Sequence, residues 1–481
     1  MFDLEKLKNI LKNTKIPQNM LNRGMVGLNS FLKPIENVLN QMKPADKGWT
    51  DNQIKFFLEI LAQLDSNNDP ESFRIGEREA RVSTQLLYNL SGGFIHGIGR
   101  SGDIKAPQPK AAGGSVLNFL TDAMVSYMFK HLGLENIAGS RVVPLSTGMT
   151  LMLTIRGLYE YQKKTLNNQS MLDKNKIIFP RMDHKSPIKA INLASMKNIT
   201  VESVIGKDYV ENENADSRQI EFIKKWGKEA CYVLPKYIEN AIDENTFGII
   251  STTSFFPPRS PDNIKEIAKI SEKYNLVHII NNAYGVQSLE LMKLLRSAID
   301  AGRVDAIIQS TDKNFLTPVG GAIISSPKNE VLDMISKVYA GRGSSAPILH
   351  LFVSLLAMGI KGYDELIKMQ KDNRQTLEKE LKKVANEINE RVLNVNNPVA
   401  CIMTLENLSD DQVKNLGGYL YNLRVTGPRV VNPKLKSFGT STNHEYPPYL
   451  VMNAAIGVSK SDILGAISQL KKAIKQVENN S

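Results

Sequence analysis

The chain has 481 residues, 42% hydrophobic and 23% charged, a balance ordinary for a globular protein and long enough for several domains or one large domain with appendages. Its two cysteines, Cys231 and Cys401, lie far apart without a CxxC partner, which excludes a disulfide framework and argues against a zinc site or any other metal site. The formal net charge of +11 fits either bulk solubility or a polyanionic partner, and charge alone does not choose between them.

The start, MFDLEKLKNILKN, places Phe2, Leu4, Leu7, Ile10 and Leu11 at helical spacing, and residues 1–45 read as helical. It carries Asp3 and Glu5 and no cleavage-like site, so it is not expected to be a signal or transit peptide. No segment is expected to offer the uninterrupted apolar span that a membrane helix needs. A second helix is expected over TDNQIKFFLEILAQLD, capped by Thr50 or Asp51. A loop-rich stretch follows, from FRIGEREARV to AAGGS. From about Val142, short apolar runs alternate with amphipathic segments: RVVPLST, KIIFP, ITVESVI, ACYVLP, TFGIISTT, LVHIINNAYG, VDAIIQS and GGAIISS. That alternation predicts a mainly parallel sheet flanked by helices. Helix returns after residue 346, and CIMTLENL, YLVMNAAIGV and a last helix near SKSDILGAISQLKKAIKQVE close an α+β part. The expected division is an N-terminal helical extension over residues 1–48, a large α/β domain over 49–345 and a smaller α+β domain over 346–481. There is no internal repeat or low-complexity segment.

Ligands in open α/β sheets bind outside the carboxyl ends of the strands. Lys313 follows VDAIIQS, Asn281 ends LVHIIN, Ser146-Thr147-Gly148 follow RVVPL at the start of a helix, and Arg181 to Ser186 follow KIIFP. Backbone N–H groups at Thr147 and Gly148 could cradle a phosphate, His184 could stack on a flat ring, and Asn281 could meet a ring nitrogen. Lys313 could form a Schiff base, with desolvation favouring its neutral, nucleophilic form. This is the layout of a fold-type I pyridoxal-phosphate enzyme. Each residue alone has a plainer reading: a solvated loop lysine, a structural histidine, a helix cap. Their joint order along four strand ends is what favours the cofactor.

HGIGRSGD contains Gly97, Gly99 and Gly102 in GxGxxG spacing, with Asp122 twenty residues on. A dinucleotide fingerprint needs a preceding strand and a helix opening inside it. Pro107 and Pro109 forbid that helix. The loop can still bind an anion through Arg100, Ser101, Lys105, Gln108 and Lys110, as a second phosphate site apart from that of the cofactor.

The stretches GEREARV, FIHGIGRSGDIKAPQPKAAGGS, PLSTGMT, STTSFFPPRSPD, NNAYGVQS, STDKNFLTPVGGAII and YAGRGSSAP closely resemble the O-phosphoseryl-tRNA(Sec):selenocysteinyl-tRNA(Sec) synthase family. They run from about residue 50 to 350; RVTGPRVV fits more loosely. The resemblance implies a cytoplasmic, homotetrameric, pyridoxal-phosphate-dependent selenium transferase whose N-terminal helices help assembly. It would take tRNA(Sec) carrying phosphoserine and selenophosphate as substrates, with no membrane or DNA partner. By the same resemblance Lys313 is the Schiff-base lysine, Arg78 an arginine linked to the cofactor, and Glu77 an acid that repels substrates with a free α-carboxylate. Arg100, Ser101 and Gln108, joined by Arg342, would hold the substrate phosphoryl group, and Arg429 would contact tRNA. His184 stands where eukaryotic members have glutamine, and Asp300 where they have a tRNA-binding arginine, so that last contact is not carried over.

Most relatives in this fold class place an aspartate at Asn281 to keep the ring nitrogen protonated. An asparagine makes a weaker electron sink, which elimination of a good leaving group tolerates better than transamination. Two alternatives remain at this point: a phosphoseryl-tRNA:cysteinyl-tRNA synthase or another cofactor-dependent lyase, and a non-catalytic tRNA-binding protein.

Overall fold

The computed structural model describes residues 4–165, 173–212, 215–253, 258–435 and 438–479. Phe2, Asp3 and residues 254–257 of STTSFFPPRSPD lie outside the described residues. Helices Leu4–Leu11 and Gln18–Gln41 come first, and the second buries only Leu32, Ile35 and Val38. The next helix is Asp51–Ala62. Thr50 caps it: its side chain accepts from the Gln53 N–H, and its own N–H donates to Gln53 Oε1 at 3.0 Å.

The strands are β1 (Gly139–Val143), β2 (Lys176–Pro180), β3 (Lys197–Val201), β4 (Val204–Ile205), β5 (Cys231–Tyr232), β6 (Thr246–Thr252), β7 (Val277–Asn281), β8 (Ala306–Ser310), β9 (Ala322–Ser326), β10 (Ala400–Thr404), β11 (Arg429–Val431) and β12 (Tyr449–Asn453). Seven form one sheet in the order β1-β9-β8-β7-β6-β2-β3. Neighbours from β8 to β3 run parallel, while β9 is antiparallel to both β8 and β1. With β9 inverted, β1 points the same way as β8.

Alternate side chains enter different cores, as a pleated sheet covered on both faces requires. Val142, Ile280, Ile307 and Ile323 join the core under helices Ala112–His131 and Ala346–Glu387. Val143, Ile279, Ile308 and Ile324 join the opposite core, under Thr147–Thr165 and Asn329–Lys337.

Two expected strands depart from the sequence reading. ITVESVI divides into β3 and β4 at Glu202-Ser203, and ACYVLP shortens to β5, which pairs with β4 outside the main sheet. Pro235 at the start of helix Pro235–Asn240 limits β5. The unanticipated β11 joins β10 and β12 in a three-stranded antiparallel sheet.

Helix Ala346–Glu387 is long and apolar enough to cross a membrane, contrary to the expectation that no segment is. Its apolarity is spent on burial: Ile348, Leu351, Phe352 and Leu355 pack in the large core, and Leu377, Leu381 and Val384 in the core of the small sheet. The polypeptide thus passes from the large body to the small one inside this helix. Gly359 breaks it at φ 63°. A Cβ there would come within 2.6 Å of the Gly48 nitrogen, while Ile360 N–H donates to Ala45 O at 2.9 Å. The end of the N-terminal extension docks on this kink.

A buried ion pair ties the glycine-rich loop to the sheet. Lys105 Nζ donates to Asp122 Oδ1 (2.9 Å), Asn118 Oδ1 (2.6 Å) and Val142 O (2.8 Å), and Val142 N–H returns a bond to Asp122 Oδ1 at 2.7 Å. All three ammonium protons are committed, so Lys105 is structural and not the anion ligand expected of it. Lys105→Ala would leave the Asp122 carboxylate buried without its cation. A loss of about 3–5 kcal/mol is expected, read as a lowered denaturation midpoint.

Candidate active site

The sheet register brings the expected residues to one edge. Ala322, the first residue of β9, pairs with Val143 of β1 and Ser310 of β8, so the segment before β9 and the ends of β1 and β8 meet there. Thr252 of β6 pairs with Asn281 of β7, and Asn281 with Ile308 of β8. Ser146-Thr147-Gly148, His184, Asn281 and Lys313 all line one cavity of about 610 Å³ beyond this edge, joined by Arg429 from the small sheet.

Thr147 and Gly148 open helix Thr147–Thr165, whose first-turn N–H groups lack intrahelical acceptors and favour an anion. A Cβ on Gly148 would lie 3.2 Å from the Ser186 Cβ, so the backbone there is crowded against the wall of the cavity. Asn281 is buried, and its Oδ1 has no hydrogen-bond partner among the described residues. An unsatisfied buried amide oxygen is costly, and a ring N–H presented from the cavity would satisfy it. Burial, with the charges of Lys313 and Arg429, lowers the His184 pKa and keeps a neutral, flat imidazole at the same cavity. An anion cradle, an orphaned acceptor, a neutral ring and a lysine in one cavity fit pyridoxal phosphate.

Lys313 sits on the short helix Thr311–Phe315 that follows β8. The burial expected for it is absent: its side chain is exposed while lining the cavity. Its turn is braced by Gln287, whose Nε2 donates to Lys313 O at 3.1 Å and whose Oε1 accepts from Ile456 N–H at 2.8 Å. Sequence reasoning missed Gln287, Asp312 and Tyr284, which also line the cavity. Their signal was position: each lies within six residues of a strand end already singled out.

The remaining expected residues do not line this cavity. Arg100 and Ser101 are exposed on the glycine-rich loop. Gln108 Nε2 donates to Gly99 O at 3.3 Å, holding the loop closed. Arg342 is drawn to the same loop because Ile98 and Gly343 exchange two backbone hydrogen bonds of 3.0 Å each. Lys110 pairs with Glu79, so the clamp reduces to Arg100, Ser101, Gln108 and Arg342. Glu77 and Arg78 pair with each other at 3.4 Å and remain 88% and 66% exposed. Asp300 accepts from Asn136 Nδ2 at 2.7 Å.

The family model described as O-phosphoseryl-tRNA(Sec) selenium transferase, SepSecS, matches residues 64–475. The O-phosphoseryl-tRNA(Sec) selenium transferase of Methanococcus maripaludis is 40% identical over 465 residues, covering 95% of this chain and 98% of that protein. Its namesake from Dictyostelium discoideum is 36% identical over 500 residues, covering 98% of each. The crystal structure of an archaeal O-phosphoseryl-tRNA(Sec) selenium transferase matches with a TM-score of 0.84 at 40% identity, over 95% of this chain and 98% of that one. Catharanthus roseus tryptophan decarboxylase, 12% identical with a TM-score of 0.61, covers 96% of this chain and all of its own, and shares the fold. The chain belongs to the O-phosphoseryl-tRNA(Sec) selenium transferase family.

Proposed function

We propose that this chain converts O-phosphoseryl-tRNA(Sec) to selenocysteinyl-tRNA(Sec), with selenophosphate as the selenium donor. The observation that carries the reading is the convergence of Lys313, the helix opened by Thr147 and Gly148, and the unpartnered Asn281 Oδ1 on one cavity. Pyridoxal phosphate supplies an electron sink beside the substrate Cα when bound there. Ser146, Thr147 and Gly148 would hold its phosphate, His184 would cover the ring and Asn281 would meet the ring nitrogen. Lys313 Nζ would carry the cofactor and, once the substrate amine has displaced it, would be free to take the Cα proton. Loss of that proton and of the β-phosphate leaves a dehydroalanyl group on the tRNA. Selenium adds at Cβ, and cleavage of its bond to phosphorus by water releases the second phosphate.

The phosphate clamp and the cofactor cavity occupy separate parts of one chain, so the proposed site is completed by a second copy. Arg100, Ser101, Gln108 and Arg342 of one copy then meet the leaving phosphate at the cavity of another, with Arg78 reaching the cofactor. Exposed apolar groups support this assembly: Phe73 and Ile75, beside Glu77 and Arg78, are each 97% exposed, and Met20 and Val26 of the N-terminal helix are 62% and 70% exposed. A homotetramer satisfies both surfaces. The +11 charge supports tRNA as the polyanionic partner. Cys231 and Cys401 are buried thiols whose pKa values burial pushes up to about 12, which keeps them out of the chemistry.

Lys313→Ala is expected to abolish turnover while leaving the circular-dichroism spectrum and denaturation midpoint unchanged. Borohydride treatment of the wild type should fix the cofactor to the peptide containing Lys313; labelling of another lysine would overturn the assignment.

Arg100→Ala and Gln108→Ala are expected to slow phosphate release while the cofactor stays bound. A lost donor at a developing anion costs about 2–4 kcal/mol, roughly a hundredfold or more in rate. Single-turnover phosphate release checks this, and wild-type rates in both variants would make the loop structural only.

Glu77 is proposed to repel the α-carboxylate of free phosphoserine, a repulsion stronger in a partly desolvated site than in water. Wild type should release phosphate from phosphoseryl-tRNA and not from free phosphoserine, and Glu77→Gln should narrow the difference. Equal turnover of both substrates by wild type would remove the filter.

A further inference from the structure

Arg429 enters the cofactor cavity from β11, on the small sheet, which also lends Val451 and Asn453 of β12 to the cavity wall. Something must fix its guanidinium relative to the cofactor end. Its Nη2 donates to Gly439 O at 2.8 Å. The Gly439 N–H in turn donates to Asp183 Oδ2 at 2.8 Å, as does the Ser441 N–H, also at 2.8 Å. Asp183 N–H donates to Ser441 Oγ at 3.0 Å, and Ser203 Oγ to Ser441 O at 2.9 Å. Asp183 immediately precedes His184, just beyond the end of β2.

The carboxylate itself is held from the large body. Arg181 grips it with Nε to Oδ1 at 3.0 Å and Nη2 to Oδ2 at 3.2 Å. Arg181 and Asp183 are each only 9% exposed. Burial opposes the charge on Asp183, but the Arg181 pair and the Ser441 and Gly439 amides outweigh it and keep the carboxyl below its usual range. The loop it holds does not relax into ordinary backbone: Gly439 has φ 113° and Ser441 φ 59°. Conformations of this kind persist where surrounding contacts over-determine them.

We propose that Asp183 is a positioning residue: its buried carboxylate holds the loop at Gly439 and Ser441, and the Gly439 carbonyl aims the Arg429 guanidinium into the cofactor cavity toward the tRNA-borne end of the substrate. This rests on the resemblance that makes Arg429 a tRNA contact, placed here at the aminoacylated end because Arg429 shares the cavity with Lys313. A planar guanidinium tied to a carbonyl is held in a set orientation, which suits a fixed phosphate or ribose target. Asp183 touches neither substrate nor cofactor in this account; it acts through Arg429.

Gly439 offers a perturbation that leaves both charged residues in place. A Cβ added there would lie 2.7 Å from Arg429 Nη2, so Gly439→Ala displaces the guanidinium directly.

The test compares Asp183→Asn, Gly439→Ala, Arg429→Ala and the Asp183→Asn/Arg429→Ala double variant as holoenzymes. KM and kcat are measured with phosphoseryl-tRNA(Sec), and equilibrium binding with seryl-tRNA(Sec), which lacks the leaving phosphate. Each single variant is expected to raise KM and weaken seryl-tRNA binding about tenfold, the size of one lost charge-assisted bond, with kcat much less affected. Cofactor retention should match wild type. The double variant should be no worse than Arg429→Ala alone, because Asp183 has nothing left to position. Additive losses in the double variant, or wild-type KM in Asp183→Asn, would overturn the proposal. Should Asp183→Asn fail to fold, Gly439→Ala decides the question, and wild-type KM there overturns it equally. Wild-type KM in Arg429→Ala would overturn the tRNA-end contact itself and the positioning role with it, an outcome distinct from an additive double variant.

Discussion

The buried pair of Arg259 and Asp262 holds the catalytic edge of the sheet together. Arg259 is fully buried, and its guanidinium is consumed by Arg181 O at 2.8 Å, Ser260 O at 2.8 Å and Asp262. Asp262 Oδ2 accepts from Thr252 N–H at 2.7 Å. One ion pair therefore fixes the backbone just beyond the end of β2 and at the end of β6, adjacent strands whose neighbours carry the cofactor residues. A buried pair of this kind need not add net stability, since desolvation of two charges offsets their attraction. What it adds is direction: a shift of β2 against β6 would break the Arg259 bond to Arg181 O or the Asp262 bond to Thr252 N–H. From Arg181 the same polar chain continues through Asp183 to the small sheet.

The sheet supplies the rest of the rigidity by packing. Ile279 and Ile280 face opposite cores, as do Ile307 and Ile308. A one-residue slip of β7 or β8 would exchange these faces and rotate Asn281 away from the cavity. Preorganisation matters here because charge develops briefly, on a departing phosphate and at Cα, and dipoles already in place need no reorganisation at that moment. Beyond the break at Gly359, one helical segment packs Ile360, Tyr363 and Ile367 in the large core and Leu377, Leu381 and Val384 in the core of the small sheet, so it anchors the small body directly to the large one.

The positive groups divide into two kinds. Lys105, largely buried, and Arg259, fully buried, are each held by several partners and are structural. Arg100 and Lys313 are exposed in the single chain and available to ligands. Such a division suits an enzyme whose substrate carries charge at both ends, a phosphate on the reacting side chain and a polyanion behind the ester.

Much of this was legible in the residues themselves. Alternating apolar runs predicted the parallel sheet, because a strand buried on both faces must be apolar at successive positions. Lys313, Asn281, His184 and Ser146-Thr147-Gly148 stood out because ligand chemistry gathers at strand ends, and strand ends can be read from where such runs stop. A cap at Thr50 or Asp51 followed from local spacing, and the structure places it at Thr50. Other properties depended on partners distant in sequence. Nothing near Lys105 tells that Asp122, Asn118 and Val142 O will consume its three protons, so it read as an anion ligand. The inversion of β9, the pairing of β5 with β4 away from the main sheet, and the meeting of Asp183 with Gly439 and Ser441 are settled by which elements pack together. Local pattern states what a residue can do; the tertiary structure decides which of its bonds are already spent.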